Sequence, residues 1–226
     1  LPELLAGLDD QWLDFQGFHI FAGSQNLQAE AVIDAHNKTF ALAERLAAAS
    51  PGPLRHVNIG GGLGIPYFPG ETAIELGPIA DNLAVLMAGR NKDWAGAEIV
   101  MELGRYLVGE AGYYICQITD RKVSRGQVYL MTDGGLHHHL SNSGNFGQVI
   151  RKNYPVVLAD KLAADATETA ELAGPLCTPL DVVAARLELP VAAIGDYVVV
   201  LQSGAYGASA SPQSFLSHPA AVELLI

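Results

Sequence analysis

The sequence predicts an α/β unit of alternating strands and helices followed by a β-rich domain, and three observations predict it. In the first 112 residues, short β-type runs alternate with long stretches rich in Ala, Leu and Glu at helical spacing. From Tyr113 onward the helical spacing gives way to short apolar runs separated by Gly, Pro, Asn and Asp. Polar or glycine-rich turns follow each strand of the first half, the place where parallel sheets and α/β barrels put their ligands.

Leu4 to Leu13 reads as the tail of a helix and Phe15 to Phe21 as a strand. Gly23-Ser24-Gln25-Asn26 is a turn in which Ser24 or Asn26 can cap the next helix. Leu27 to Ala49 is a long helix with apolar residues at helical spacing, stopped by Ser50-Pro51-Gly52-Pro53. Arg55 to Ile59 is a buried strand, since Val57 and Ile59 suit a pleated surface, and it ends in Gly60-Gly61-Gly62. A helix from about Thr72 to Ala88 leads to a strand at Ala97 to Met101, which ends in Glu102-Leu103-Gly104-Arg105-Tyr106. After a boundary near Gly112, an antiparallel sheet is expected from Tyr113–Val123, Gln127–Thr132, Pro155–Leu158, Thr167–Leu172 and Tyr197–Leu201. Three βα units cannot close a barrel, so 1–112 is expected to be an incomplete barrel and 113–226 a β-domain.

A hydrophobic fraction of 50% with 16% charged residues is that of a well-buried globular protein. The formal charge of −11 repels the phosphates of nucleic acids and anionic membranes, which excludes both as partners. No apolar run is long enough to cross a bilayer. Leu1-Pro2-Glu3 is neither a signal peptide nor an initiator start, so the chain is expected to begin inside a longer protein. Cys116 and Cys177 form no CxxC pair, and reduced thiols in a cytoplasmic setting are the plain reading.

Gly60, Gly61 and Gly62 admit two readings, a tight turn or a loop whose N–H groups cradle a phosphate. Arg105 can grip a phosphate or carboxylate bidentately. Glu102 beside a heteroaromatic cofactor could keep a ring nitrogen protonated, whereas the bland reading of Glu102 and Arg105 is an ion pair at a helix start.

Six segments then match one family in order. Gly17-Phe18-His19-Ile20-Phe21-Ala22-Gly23-Ser24-Gln25 resembles G-x-H-x-H-x-G-S-Q, and Ile59 to Tyr67 resembles I-G-G-G-x-G-I-P-Y. Glu102 to Gly109 resembles E-P-G-R-x-x-V-G, Asp133-Gly134-Gly135 the D-A/G-G turn, and Gly174 to Asp181 G-P-x-C-E/D-x-x-D. Gly195-Asp196 with Gly204-Ala205-Tyr206-Gly207 resembles G-D…G-A-Y-G. The chain is similar to the C-terminal part of the fold-type III pyridoxal-phosphate decarboxylases, the diaminopimelate/ornithine/arginine decarboxylase family. Met131 to Leu140 also resembles decarboxylase-like proteins found with bacterial exosortase and exopolysaccharide systems.

The resemblance implies a (β/α)₈ barrel of the alanine racemase-like type followed by a β-domain, and a lyase of amino-acid metabolism working as a homodimer with shared active sites. It implies that Ser24, Gly60, Gly61, Gly62, Arg105 and Tyr206 hold the cofactor phosphate, that Gly104 binds the cofactor and that Glu102 pairs with the pyridine nitrogen. It implies that Cys177 is catalytic in the partner subunit's site, with Asp133 and Asp181 at the substrate. Departures accompany it. Phe21 stands where the family has a cofactor-stacking histidine, and can stack without titrating. Leu103 replaces the family's proline. About Ser141 and Thr178 stand where diaminopimelate enzymes carry an Arg and a Glu, so diaminopimelate is not the expected substrate.

The family's Schiff-base lysine has no counterpart among Lys38, Lys92, Lys122, Lys152 and Lys161, so it is expected in an N-terminal segment that these residues lack. The reading is therefore decarboxylation of an amino acid with pyridoxal 5′-phosphate; the alternative is a non-catalytic decarboxylase-like binding or regulatory protein. For Cys177 the bland reading is a buried structural thiol, and for Tyr206 plain packing. His137, His138 and His139 could place two rings on one strand face for a metal, but the sequence identifies no further ligands and no metal is expected; a polar substrate-facing or exposed role is the reading taken.

Overall fold

The computed structural model describes residues 1–8, 11–145 and 151–226. The chain divides into two units, 1–107 and 108–226. The first begins with α1 (Pro2–Ala6), which ends at Gly7. The helix expected as far as Leu13 is thus five residues long, and residues 9 and 10 of that stretch lie outside the described residues. Then come β1 (Gly17–His19), α2 (Ala29–Ala47), β2 (His56–Asn58), α3 (Leu76–Ala88) and β3 (Glu98–Val100), in the expected order.

The three strands are parallel in the order β1-β2-β3, with Phe18 opposite Val57 and Val57 opposite Ile99. They are shorter than the apolar runs that mark them. Parallel hydrogen bonding still reaches past each strand end, with Ile20 N–H donating to Asn58 O and Ile59 N–H to Val100 O, both at 2.9 Å. Helix α2 contributes Phe40, Ala43 and Ala47 to a core with Val57, Ile59 and Trp94, and the Phe40 and Trp94 rings lie 5.3 Å apart. A second cluster of Val32, Leu63, Ile74 and Ile79 anchors the loop that follows the glycine triplet. Neither Ser24 nor Asn26 caps α2. Its N-cap is Gln28, whose N–H donates to Asn26 Oδ1 at 2.9 Å in an Asx turn.

The second unit carries β4 (Tyr114–Ser124), β5 (Gln127–Thr132), β6 (Val156–Leu158), β7 (Glu168–Ala173), β8 (Val182–Leu189) and β9 (Tyr197–Val200) in the order β6-β9-β4-β5-β7-β8. Arg125 (φ 53°) and Gly126 (φ 79°) make the tight β4–β5 turn, with both central residues left-handed as the strand twist demands. The β5–β7 pair is parallel, so the sheet is mixed rather than wholly antiparallel. A crossover made by the long segment between Thr132 and Glu168 permits this.

Strand β8 has no counterpart among the runs read from the sequence. Its Ala184-Ala185-Arg186-Leu187-Glu188 favours a helix locally, and a left-handed Arg186 (φ 47°) breaks the period-two pattern. Burial of Val183, Ala184 and Leu189 overrides that preference. The two sheet edges are joined through Asn153, whose side-chain N–H donates to Ala185 O at 2.7 Å while its oxygen accepts the Ala185 N–H at 2.9 Å. Arg151 adds a 2.7 Å bond to Val182 O, and the sheet nearly closes on itself.

Candidate functional site

In the first unit, the loops after β1, β2 and β3 meet at the C-terminal ends of the strands. Gly60 (φ 75°) and Gly62 (φ 94°) are left-handed. A Cβ on Gly61 would overlap the Glu102 carbonyl oxygen, and one on Gly62 the Gly23 carbonyl oxygen. The triplet is therefore required by the close approach of three backbones, quite apart from any anion. Glu102 N–H donates to Gly60 O at 2.8 Å, Asn26 N–H to Gly62 O at 2.9 Å, and Gly64 N–H back to Asn26 O at 2.9 Å. Gln25, itself left-handed (φ 53°), donates to Ile65 O at 2.6 Å. These bonds join the loops into one shelf. Among the described residues no hydrogen-bond acceptor takes the N–H of Gly61 or Gly62. Ser24 is exposed beside them. Two N–H groups without acceptors and an exposed hydroxyl on a rigid shelf suit an anion such as phosphate.

Glu102 occupies the same edge. Its Oε1 accepts a hydrogen bond from Asn58 Nδ2 at 2.8 Å, and its Oε2 lies 3.2 Å from His19 Nε2. Asn58 Oδ1 in turn accepts the Gly60 N–H at 2.8 Å. The carboxylate thus turns to the ends of β1 and β2 and not to Arg105, which removes the helix-start ion pair. Arg105 starts a short helix (Arg105–Val108) and sets its guanidinium 5.4 Å from the centre of the buried Tyr67 ring. Glu71 accepts the N–H groups of Tyr67 and Phe68 at 2.9 and 3.2 Å, which fixes that ring's loop. Phe21 is 66% exposed with a ring carbon beside Gly60, and Gly104 faces open space. Asn58 was not singled out from the sequence, and His19, Gln25 and Tyr67 entered it only as members of the matched segments, with no role of their own. The signal for Asn58 was a polar residue at the last position of a buried strand, two before a glycine.

The second unit brings Asp181 and Cys177 together on one loop. Asp181 is 3% exposed, and its two carboxylate oxygens accept the N–H groups of Leu136 at 2.6 Å and Leu176 at 2.8 Å. Gly135 and Gly174 leave it room, since a Cβ on either would overlap it. Asp181 therefore braces two loops and does not itself present an open carboxylate. Cys177, next to Leu176, is exposed, which overturns the buried-thiol reading; Cys116 is the buried thiol, its pKa pushed up to about 12 by burial. Asp133 is exposed and ties its Oδ1 to Gln117 N–H at 2.8 Å.

The histidine triplet is neither exposed nor in a strand. His137 is 0% and His139 2% exposed, in a turn segment after Gly135. Among the described residues no group of His, Cys, Asp or Glu is arranged to hold a metal ion. His139 Nδ1 accepts the Asn142 N–H at 3.2 Å, so its Nε2 carries the proton and donates to Ser203 Oγ at 2.9 Å. Burial lowers the His139 pKa to about 4 and lowers that of His137 as well. Ser141 is 4% exposed with its hydroxyl bonded inside the unit, so it does not stand open to a ligand. Tyr206, 40% exposed, sits in a turn at φ 57°.

Residues 32–204 match the family described as pyridoxal-dependent decarboxylase, C-terminal sheet domain. Over 219 residues the chain is 35% identical to an L-glutamyl-[acyl-carrier protein] decarboxylase of Niallia circulans, covering 95% of the chain and 51% of that protein. It is 29% identical over 212 residues to a 2-[(L-alanin-3-ylcarbamoyl)methyl]-2-hydroxybutanedioate decarboxylase of Staphylococcus aureus, covering 92% and 52%. The crystal structure of Helicobacter pylori diaminopimelate decarboxylase with L-lysine superposes with a TM-score of 0.72 at 26% identity, covering 92% of this chain and 48% of that one. The chain spans about half the length of the curated relatives it matches. No helix among the described residues is long and apolar enough to cross a membrane. With its family-typical loops on a parallel sheet and its nearly closed mixed sheet, the chain belongs to the pyridoxal-dependent decarboxylases.

Proposed function

We propose that this chain is the C-terminal part of an enzyme that removes CO₂ from an amino acid with pyridoxal 5′-phosphate. The observation that carries the reading is the Glu102 carboxylate, oriented by Asn58 and His19 beside the acceptor-less N–H groups of Gly61 and Gly62. When bound, the cofactor supplies an electron sink for the charge left on carbon as CO₂ departs. The N–H groups of Gly61 and Gly62, the Ser24 hydroxyl and the Gly104–Arg105 segment hold the phosphate. The exposed Phe21 ring offers a flat apolar face to the pyridine. Glu102 holds a proton at the ring nitrogen. Cys177 gives a proton in the site of a partner subunit, and Asp181 serves it by bracing its loop. Asp133 keeps one carboxylate oxygen for a substrate ammonium.

Ser141 and Thr178 bring no charge where diaminopimelate enzymes have two. The Niallia relative acts on a glutamyl group joined to a carrier protein. Together these favour an α-amino acid whose distal end bears no free charge. None of the five lysines lies on a strand end or loop of the β1–β3 shelf, so the amine that holds the cofactor covalently comes from outside these residues. That absence also supports the second reading, a decarboxylase-like protein that binds without turnover.

The test is CO₂ release by the full-length protein with added pyridoxal 5′-phosphate, across amino acids with charged and with acylated side chains. Release that is lost in Glu102→Gln supports the enzyme. Cofactor binding with no release from any amino acid leaves the binding protein in its place. Sedimentation of the full-length protein as a monomer would refute the shared site.

A further inference from the structure

A row of three imidazole rings joins the turn after Gly135 to residues 215–219. The His137 ring centre lies 3.8 Å from that of His138 and 5.1 Å from that of His218. His137 is fully buried, and among the described residues neither of its ring nitrogens has a hydrogen-bond partner. His138 Nε2 lies 2.8 Å from Pro219 O, which can only accept, so Nε2 carries the proton of the neutral ring. His138 Nδ1 then accepts from the Tyr114 hydroxyl at 3.3 Å. The backbone that brings His218 and Pro219 to the row is strained. Leu216 (φ 56°) and Ser217 (φ 59°) are both left-handed, a conformation that such residues hold only when their surroundings impose it.

The groups facing the row keep it neutral. Burial lowers the pKa of His137, His138 and His218 add to that, and the Asp181 carboxylate opposes it. Both Asp181 oxygens are already taken by the N–H groups of Leu136 and Leu176. Burial, with Cys116, Asp133 and Asp181 nearby, pushes the Tyr114 hydroxyl far up, so it stays protonated. A second proton on His138 must therefore sit on Nδ1, where Tyr114 donates. Charge on both His138 and His218 sets like charges on either side of a buried, unpartnered ring. The open segment takes up protons that the closed one refuses, so acid favours opening and pH above about 6.5 favours closure.

We propose that residues 215–219 form an acid-opened clasp: charging of His138 and His218 beside the buried His137 releases the strained segment from the turn that carries the three histidines. The clasp gives these rings a use that removal of CO₂ does not call on, and it stands or falls apart from that reading.

The experiment follows amide hydrogen exchange in the full-length protein at about pH 7.5 and about pH 5.5, with rates corrected for the pH dependence of exchange itself. The reporters are the N–H groups of Phe215, Ser217 and His218, bonded to Pro212, Ser214 and Phe215 carbonyls. Their protection relative to β7 and β8 is expected to fall about tenfold or more at the lower pH, the scale of one proton bound only by the open form. His218→Phe keeps a ring against His137, and His138→Gln keeps a side-chain N–H for Pro219 O, yet neither new side chain takes up a proton. Each variant is expected to hold protection at the two pH values within about threefold. Equal protection at both pH values in the unsubstituted protein overturns the proposal, as does a fall that β7 and β8 share, which is acid unfolding of the whole sheet. An undiminished fall in either folded variant overturns it too.

Discussion

The Asn58 side chain donates to the Glu102 carboxylate at 2.8 Å while its oxygen accepts the Gly60 N–H at the same distance. One amide thereby sets both the acid of the site and the first residue of the glycine loop. Its orientation follows from chemistry, since the Gly60 N–H can only donate and an ionised Glu102 can only accept.

Replacing Asn58 with Asp keeps the acceptor for Gly60 but sets a second carboxylate against Glu102. The two carboxylates repel each other, and Glu102 loses the N–H donor that orients it. The full-length Asn58→Asp variant is expected to bind pyridoxal 5′-phosphate about tenfold more weakly at neutral pH, on the scale of one lost hydrogen bond to a charged group. A cofactor titration followed by absorbance reads this directly. Unchanged affinity would show that the Asn58–Glu102 bond has no bearing on the cofactor.

Gly61 and Gly104 flank the same edge and predict opposite outcomes. A Cβ at Gly61 collides with the Glu102 backbone, whereas at Gly104 it meets nothing within 4 Å. Gly61→Ala is expected to cost about 2–4 kcal/mol of stability in denaturant unfolding, and Gly104→Ala less than about 0.5 kcal/mol. If Gly104→Ala then weakens cofactor binding, that loss belongs to the phosphate site and not to the fold.

Much of the first unit was legible because α2 is nineteen residues long and its apolar spacing is unambiguous. The strand limits were not, because a three-residue strand carries too little pattern to bound it. Strand β8 was hidden by helix-favouring residues and by the bulge at Arg186. Gly60–Gly62, Glu102 and Arg105 could be read from local motifs. The partners of Glu102 could not, since the parallel register brings His19 and Asn58 to it from elements far apart in sequence. The histidine triplet misled for a related reason: polar residues read as exposed unless their buried partners, here Ser203, Asn142 and Tyr114, are known.

Asp181 predicts a stability effect that reaches Cys177. Asn at this position keeps one acceptor and sets an NH₂ group against a backbone N–H that also donates. Asp181→Asn is expected to cost about 2–3 kcal/mol, the penalty for an unsatisfied buried donor at a charged partner's site. Because Leu176 N–H is one of the two bonds, the Cys177 loop loosens with it. Amide hydrogen exchange over residues 174–181 should rise above that of β4 and β5, and equal protection in both forms would refute the brace.

Acid should destabilise the second unit through His139. Burial holds its folded pKa at about 4, below the 6.5 of an unfolded histidine. Between those values the unfolded chain binds a proton that the folded chain refuses, so stability falls as pH drops from 6.5 toward 4 and is steady above 6.5. From pH 7 to pH 5 the loss is about 2 kcal/mol, from about 1.4 kcal/mol per pKa unit. His137, whose pKa burial also lowers, acts in the same direction. Urea unfolding of the isolated protein at the two pH values measures the loss, and His139→Gln, which cannot take up the proton, should show a shallower dependence from a lower starting stability. Stability that is flat across this window would mean that His139 exchanges protons with water as freely as an exposed residue, which its bonds to Asn142 and Ser203 do not allow.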